Sequence, residues 1–284
     1  MNAPQPIQIT CEDGVRLSGT LYRPTAPRAA VVVAPATGIK QRYYGAFARH
    51  LAGCGYGVLC YDNRGIAGSL DGSIRESDAS LVCWGRLDQT AALETLKKLF
   101  PSCRYHLVGH SAGGQLAGLM KNGSELTSMF NVACSSGNLR RMTFPFRLNA
   151  LFFMNVVIPV SNFVFGHTKS HWFGMGEPLP RRVGEQWSRW CNGTGYVRVD
   201  FGKAIEEHHY DSLEIPSCWL TATDDPIATE ANVREMIGVY SRIEAETIFV
   251  DPGETGLEDI GHMGFFRSGR SALWKHATDW LDRY

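Results

Sequence analysis

The chain has 284 residues, 44% of them hydrophobic and 20% charged, enough to bury a substantial core, and its 28 Lys+Arg balance 28 Asp+Glu. That neutrality excludes bulk attraction to nucleic acid or to an anionic membrane and favours a small neutral or amphiphilic partner. The first ten residues lack a basic region followed by an apolar stretch, so no signal peptide is expected. The eight scattered cysteines form no C-x-x-C pair, which suits reduced thiols in a cytoplasmic protein rather than a disulfide framework.

Ile7 to Tyr22 reads as two alternating strands around the turn Glu12-Asp13-Gly14. Ala29 to Ala34 is a continuous apolar run, expected as a strand buried on both faces, and it ends in Pro35-Ala36-Thr37-Gly38. Tyr44, Phe47, Ala48 and Leu51 then recur at helical spacing up to Gly53, and Gly57 to Asp62 is the next buried strand. The glycines at 53, 55 and 57 follow a helix and precede a strand, the reverse of the order a phosphate-cradling turn needs. Trp84, Leu87, Ala91, Leu96 and Leu99 mark an amphipathic helix closed by Pro101, and Phe130 to Cys134 is a further strand.

This alternation predicts an α/β fold with a mostly parallel central sheet and helices on both faces. From 137 to 213 the alternation stops, and Phe, Trp and Pro accumulate. Leu148 to Phe165 is apolar enough to suggest a membrane span, but Asn149, Asn155, Pro159, Ser161 and Asn162 interrupt it, so no integral span is expected. The domain reading is a core formed by 1–136 and 214–284, with 137–213 as an inserted, mainly helical cap whose inner face is apolar. Ser217 to Ala222 resumes the sheet and ends in Thr223-Asp224-Asp225-Pro226. Val233 to Tyr240 is a helix, Thr247 to Val250 the last strand and Leu273 to Leu281 a closing helix, with Ile260-Gly261-His262-Met263-Gly264 before it.

The chemistry concentrates at Gly109-His110-Ser111-Ala112-Gly113, a G-x-S-x-G sequence between an apolar strand and a helical pattern. Ser111 must sit at the tip of a tight turn for its Oγ to project, and the flanking glycines remove Cβ clashes. At a helix N-terminus the N–H of Ala112 is placed to bind developing negative charge. A serine hydroxyl needs a base and a group that orients the base. Ser111, Asp225 and His262 each follow a predicted strand at the sheet edge where such sites assemble. Asp224 competes with Asp225 as the acid.

With these residues in place, the chain resembles an α/β hydrolase, a serine hydrolase of the monoacylglycerol-lipase and serine-aminopeptidase type. The resemblance rests on 31–38, on Tyr61-Asp62-Asn63-Arg64-Gly65-Ile66-Ala67-Gly68-Ser69, on the Ser111 turn and on 222–227, and its tail, 260–266, is similar to an uncharacterised bacterial subgroup. It implies Ser111 as nucleophile, His262 as general base and acid, and Asp225 as the acid that orients it, with Asp224 left as a solvated turn or cap residue. It also implies an oxyanion hole from the backbone N–H groups of Ala36 and Ala112. The family often carries His-Gly where this chain has Ala34-Pro35, so the Ala36 assignment depends on how that loop aligns.

The expectation is cleavage of a small-molecule carboxylic ester with an apolar group through an acyl-enzyme. Neither cofactor nor metal is expected, because His208 and His209 are adjacent and lack a completing ligand set. His110 is expected to pack under the turn, Asp62, Arg64 and Asp88 to be structural, and His167 and His171 leave substrate contact open. An acyltransferase, a serine peptidase or amidase using Glu177, Glu185, Glu206 or Glu207, and a non-catalytic binding protein stay open as alternatives. So does a homodimer.

Overall fold

The computed structural model describes residues 3–284. The strands are β1 (Gln5–Thr10), β2 (Arg16–Tyr22), β3 (Ala29–Ala34), β4 (Tyr56–Tyr61), β5 (Tyr105–His110), β6 (Ser128–Val132), β7 (His167–Thr168), β8 (Leu179–Pro180), β9 (Pro216–Ala222) and β10 (Glu244–Val250). Eight of them form one sheet in the order β1-β2-β4-β3-β5-β6-β9-β10, and β7-β8 is a separate small ribbon. β1 and β2 pair antiparallel, as do β2 and β4, and every other neighbour pair in the large sheet is parallel.

Successive side chains of a strand face opposite ways, so the unbroken apolar run of β3 feeds a core on each side of the sheet. Val31 and Val33 enter one apolar cluster, with Phe47, Leu51 and Trp274. Ala30, Val32 and Ala34 enter the other, with Leu93 and Leu96. Helices Gly45–Gly53 and Ser271–Arg283 therefore cover one face and helix Thr90–Leu99 the other. The predicted α/β fold with a mostly parallel sheet is the one observed.

Several elements keep their place with shifted ends, the last strand for instance starting at Glu244 instead of Thr247, and two differences have a plain physical cause. The strand expected at Phe130–Cys134 ends at Val132, because Ala133, whose N–H still makes the last ladder bond to the Leu220 carbonyl at 2.8 Å, takes a left-handed φ of +54° that turns the chain out of the extended path. The helix after Ser111 runs only from Ala112 to Gln115 and is followed by a 3₁₀ turn at Ala117–Leu119. The Tyr210 ring lies there so close to Gly118 that a Cβ would approach it to 2.3 Å.

Residues 137–213 add no strand to the large sheet. They hold a helical run, Phe146–Phe165, with a π-turn at Phe153–Val157, and a second helix, Arg181–Asn192.

Asp62, Arg64 and Asp88 sit in a buried structural network. Arg64 donates to Asp13 and Asp88, both at 2.6 Å, while Asp88 also accepts the Arg64 N–H. Asp62 accepts the backbone and side-chain N–H groups of Gln41. Arg64→Leu would leave the Asp88 carboxylate buried without its partner, and the expected loss is about 3–5 kcal/mol. The urea midpoint should drop accordingly, and Arg64→Leu/Asp88→Leu should recover much of the loss.

Candidate active site

The C-terminal ends of β5, β9 and β10 lead into the three predicted residues, so the parallel topology delivers them to one edge. Ser111 follows β5 directly, with φ +48° and ψ −112°, a conformation L-residues rarely adopt. The turn is possible because its flanks carry no Cβ. One on Gly113 would lie 2.1 Å from the Ala34 carbonyl oxygen, and one on Gly109 2.4 Å from the Gly114 nitrogen. The strained turn lifts the Ser111 Oγ out of the sheet edge.

Ser111, His262 and Asp225 make a continuous hydrogen-bonded chain. His262 Nε2 is 3.1 Å from Ser111 Oγ, and His262 Nδ1 is 2.8 Å from Asp225 Oδ2. Asp225 is buried, and its second oxygen accepts the N–H groups of Ile227 and Ala228 at 2.8 and 2.9 Å. Burial alone would raise the Asp225 carboxyl, but the neighbouring His262 and those two N–H donors outweigh it and hold the group below its ordinary range. A carboxylate only accepts, so Nδ1 carries the ring proton and the Nε2 lone pair faces the serine hydroxyl.

Asp224 is not a bystander. Its oxygens accept the backbone N–H groups of Ile260 and Gly261 at 2.9 and 2.8 Å, the two residues before His262. The adjacent aspartates thus divide the work, one holding the ring and the other the loop that carries it. The Asp-Asp dipeptide was legible in the sequence, but the loop it clamps was not.

His110 is buried beneath the turn. Its Nε2 lies 3.0 Å from the His262 carbonyl, which can only accept, so Nε2 donates and Nδ1 accepts from the Tyr44 hydroxyl at 2.9 Å. The same hydroxyl accepts the N–H of Ala36 at 2.9 Å. This corrects the expectation for Ala36, whose N–H is occupied by Tyr44 instead of open to a ligand. Tyr44, read from sequence as a core helix residue, is the side chain that occupies it. The N–H of Ala112, at the first helical position, has no carbonyl within its own helix to bind.

Burial pushes His110 down to about 3 and His106, in β5, down to about 4. Both are therefore neutral in the folded chain where an unfolded histidine takes up a proton. The unfolded state binds more protons between the ordinary value near 6.5 and these lowered ones, so stability is expected to fall as pH drops through that window. Each group contributes a slope of about 1.4 kcal/mol per pH unit. Urea midpoints from neutral pH to about pH 4 check the sign, and His106→Asn should flatten the slope.

Ser111 and His262 open on a cavity of about 600 Å³. Its apolar walls include Met142, Phe146, Phe153, Met154, Trp187 and Ile227, and Thr37, Gln115 and Asn149 are polar exceptions. A more open groove of about 690 Å³ runs beside it past Lys40, Arg42, Arg49 and Arg267, without touching Ser111 or His262.

Other residues singled out in the sequence lie elsewhere. His208 stacks on Phe201, and the His209 N–H donates to Gly118. His167 bonds the Phe165 carbonyl, while His171 packs edge-on to Trp172. Glu177, Glu185 and Glu207 pair with Lys40, Arg181 and Arg86, and Glu206 is exposed. All eight cysteines are free.

A sequence comparison with curated proteins gives no significant match. Among solved structures, a soluble variant of the monoglyceride lipase of Saccharomyces cerevisiae, bound to a substrate analogue, superposes with a TM-score of 0.73 at 14% identity, over 100% of this chain and 96% of the other. An esterase of Pyrococcus furiosus gives 0.62 at 16% identity over 99% and 91%. A serine hydrolase of Xanthomonas campestris described as having no lid gives 0.56 at 12% identity over 99% and 96%. Likeness at such low identity speaks to a shared fold. A family model, by contrast, matches residues 30–272, most of the chain and all three residues of the hydrogen-bonded chain, and on that match the protein belongs to the alpha/beta hydrolase family.

Proposed function

We propose that this protein is a serine hydrolase that cleaves a carboxylic ester bearing an apolar group, by way of an acyl-enzyme. The observation that carries the reading is the Ser111–His262–Asp225 chain opening directly on an apolar cavity. Ser111 Oγ attacks the ester carbonyl while its proton passes to His262 Nε2, and Asp225 stabilises the imidazolium. The oxyanion accepts the Ala112 N–H. Because Ala36 is engaged by Tyr44, the second donor in this mechanism comes from the next residue, Thr37, which lines the same cavity. The tetrahedral intermediate collapses, the C–O bond breaks, and the alcohol leaves with the proton from His262. Water then gives a proton to His262 and attacks the acyl carbon, which releases the acid and restores Ser111.

The walls favour an acyl or alcohol chain of aliphatic or aromatic character, since a polar chain would lose hydration without gaining partners there. A fluorophosphonate followed by intact-mass analysis and peptide mapping tests the reading. The expected result is one adduct, on Ser111, together with hydrolysis of acyl esters that improves with chain length. Folded protein that takes no adduct and hydrolyses no ester would count against it.

A further inference from the structure

Among the described residues, every exposed large apolar side chain lies between Phe144 and Phe173. Leu148, Phe152, Val156, Val160 and Val164 recur at every fourth position, so they form one ridge about 24 Å long on the helix Phe146–Phe165. Beside that ridge Phe163 is 89% exposed, and Phe144 and Trp172 are 72% and 62% exposed at the two ends. A contiguous apolar surface of this kind marks a contact with something apolar. The opposite side of the helix, with Ala150, Phe153, Met154, Ile158 and Asn162, is buried against the rest of the fold. The helix is long and apolar enough to cross a membrane, with mean hydropathy 1.7, but that packing holds it flat along the protein.

Charge indicates what the ridge meets. The whole chain is neutral, yet residues 140 to 182 hold six Lys and Arg against a single Glu. At one end Arg147 donates to the carbonyl of Arg140. Lys169 Nζ sits over the rings of Phe165 and Trp172, 5.1 and 5.3 Å from their centroids. Among the described residues, Arg140, Arg147, Lys169 and Arg182 have no carboxylate partner, whereas Arg75 shares its loop with Asp71, Glu76 and Asp78. An apolar ridge with free cations at both ends, and a lysine and tryptophan side by side, has the chemistry of an interfacial helix on anionic lipid. A second copy of the chain would bring the same cations against one another across a twofold axis. The ridge is also continuous with the cavity, because Phe152 and Phe173 belong both to the exposed face and to the walls around Ser111.

We propose that the outward face of Phe146–Phe165, with Phe144, Trp172 and Phe173, docks flat on an anionic lipid surface and passes a single-chain amphiphile from it into the Ser111 cavity. The delivery step rests on the hydrolytic reading above; the docking does not. Flotation with vesicles of phosphatidylcholine, alone or mixed with phosphatidylglycerol, tests it. The wild type is expected to float with the mixed vesicles and to release as salt rises. Val160→Glu/Phe163→Glu should weaken that binding about a hundredfold, and Lys169→Glu/Arg182→Glu about tenfold. The first pair should leave hydrolysis of a water-soluble acetate ester and fluorophosphonate labelling unchanged, because neither residue lines the cavity. Three results would overturn the docking: no wild-type flotation, equal flotation of the apolar variant, or a dimer in sedimentation velocity that this variant dissociates while vesicles remain unbound. Labelling of Ser111 without flotation removes the docking and leaves the hydrolase; flotation without labelling does the reverse.

Discussion

Ser111→Ala is expected to lower kcat for ester hydrolysis by about 10⁶-fold, because the residues of the chain act as one unit and His262 has nothing to activate once the hydroxyl is gone. Activity should not fall to the uncatalysed level, since the cavity and the Ala112 N–H still bind the ester and its developing charge. Stability separates this loss from misfolding. Alanine keeps the Cβ at φ +48°, so the strain stays and the melting temperature should barely change. Ser111→Gly removes that Cβ, and the strain it relieves is worth roughly 1–3 kcal/mol. That variant is expected to melt higher while being equally inactive. Kinetics and thermal melts on the two variants check both statements, and turnover retained by Ser111→Ala would end the nucleophile assignment.

Much of this was legible in the sequence because single residue types sufficed. The Ala29–Ala34 run has no polar residue, so it could only be a strand covered on both faces, and Gly109 and Gly113 flank Ser111 where side chains would collide with backbone. Asp225 and His262 could be found because each follows a strand whose end the parallel topology brings to the same edge. The remainder depended on contacts across the chain. Nothing local to Pro35-Ala36-Thr37 indicates that the Tyr44 hydroxyl takes the Ala36 N–H, and nothing in Thr223-Asp224-Asp225 indicates that Asp224 reaches 36 and 37 residues ahead. Composition likewise could not sort the aromatics of 137–213. Phe153 and Trp187 face the cavity, while Phe163 and Trp172 face solvent.

Net charge leaves the local distribution unread in the same way. A balance of 28 against 28 describes the whole chain and is silent on segregation. The cations gathered around one helix are offset by acids elsewhere, for instance Asp251, Glu254, Glu258 and Asp259 in 251–259, a stretch without Lys or Arg. At low salt, attraction from a distance follows the total, whereas adhesion at contact, within a Debye length, follows the local set. A neutral chain can therefore carry a basic docking face, and salt should weaken its contact with anionic lipid without neutral lipid being affected.

Asp225→Asn is expected to lower kcat by about 10⁴-fold with little change in KM, a loss set by proton bookkeeping. Asp225 uses one oxygen for the N–H groups of Ile227 and Ala228 and the other for His262 Nδ1. An asparagine would keep its carbonyl oxygen on the two backbone donors and turn its NH₂ toward the ring. His262 Nδ1 would then have to accept, moving the ring proton to Nε2, where it points at a hydroxyl it should be deprotonating. Asp224→Asn has no such effect on the ring. It weakens the clamp on Ile260 and Gly261, costing about 1–2 kcal/mol of loop order, and should reduce kcat only about tenfold while lowering the melting temperature. The Nδ1 proton of His262, followed by proton NMR, distinguishes the two, since it should be present in wild type and in Asp224→Asn and lost in Asp225→Asn. Equal losses in the two variants, with the proton retained in both, would mean that Asp225 also acts through the loop and not through the tautomer of His262.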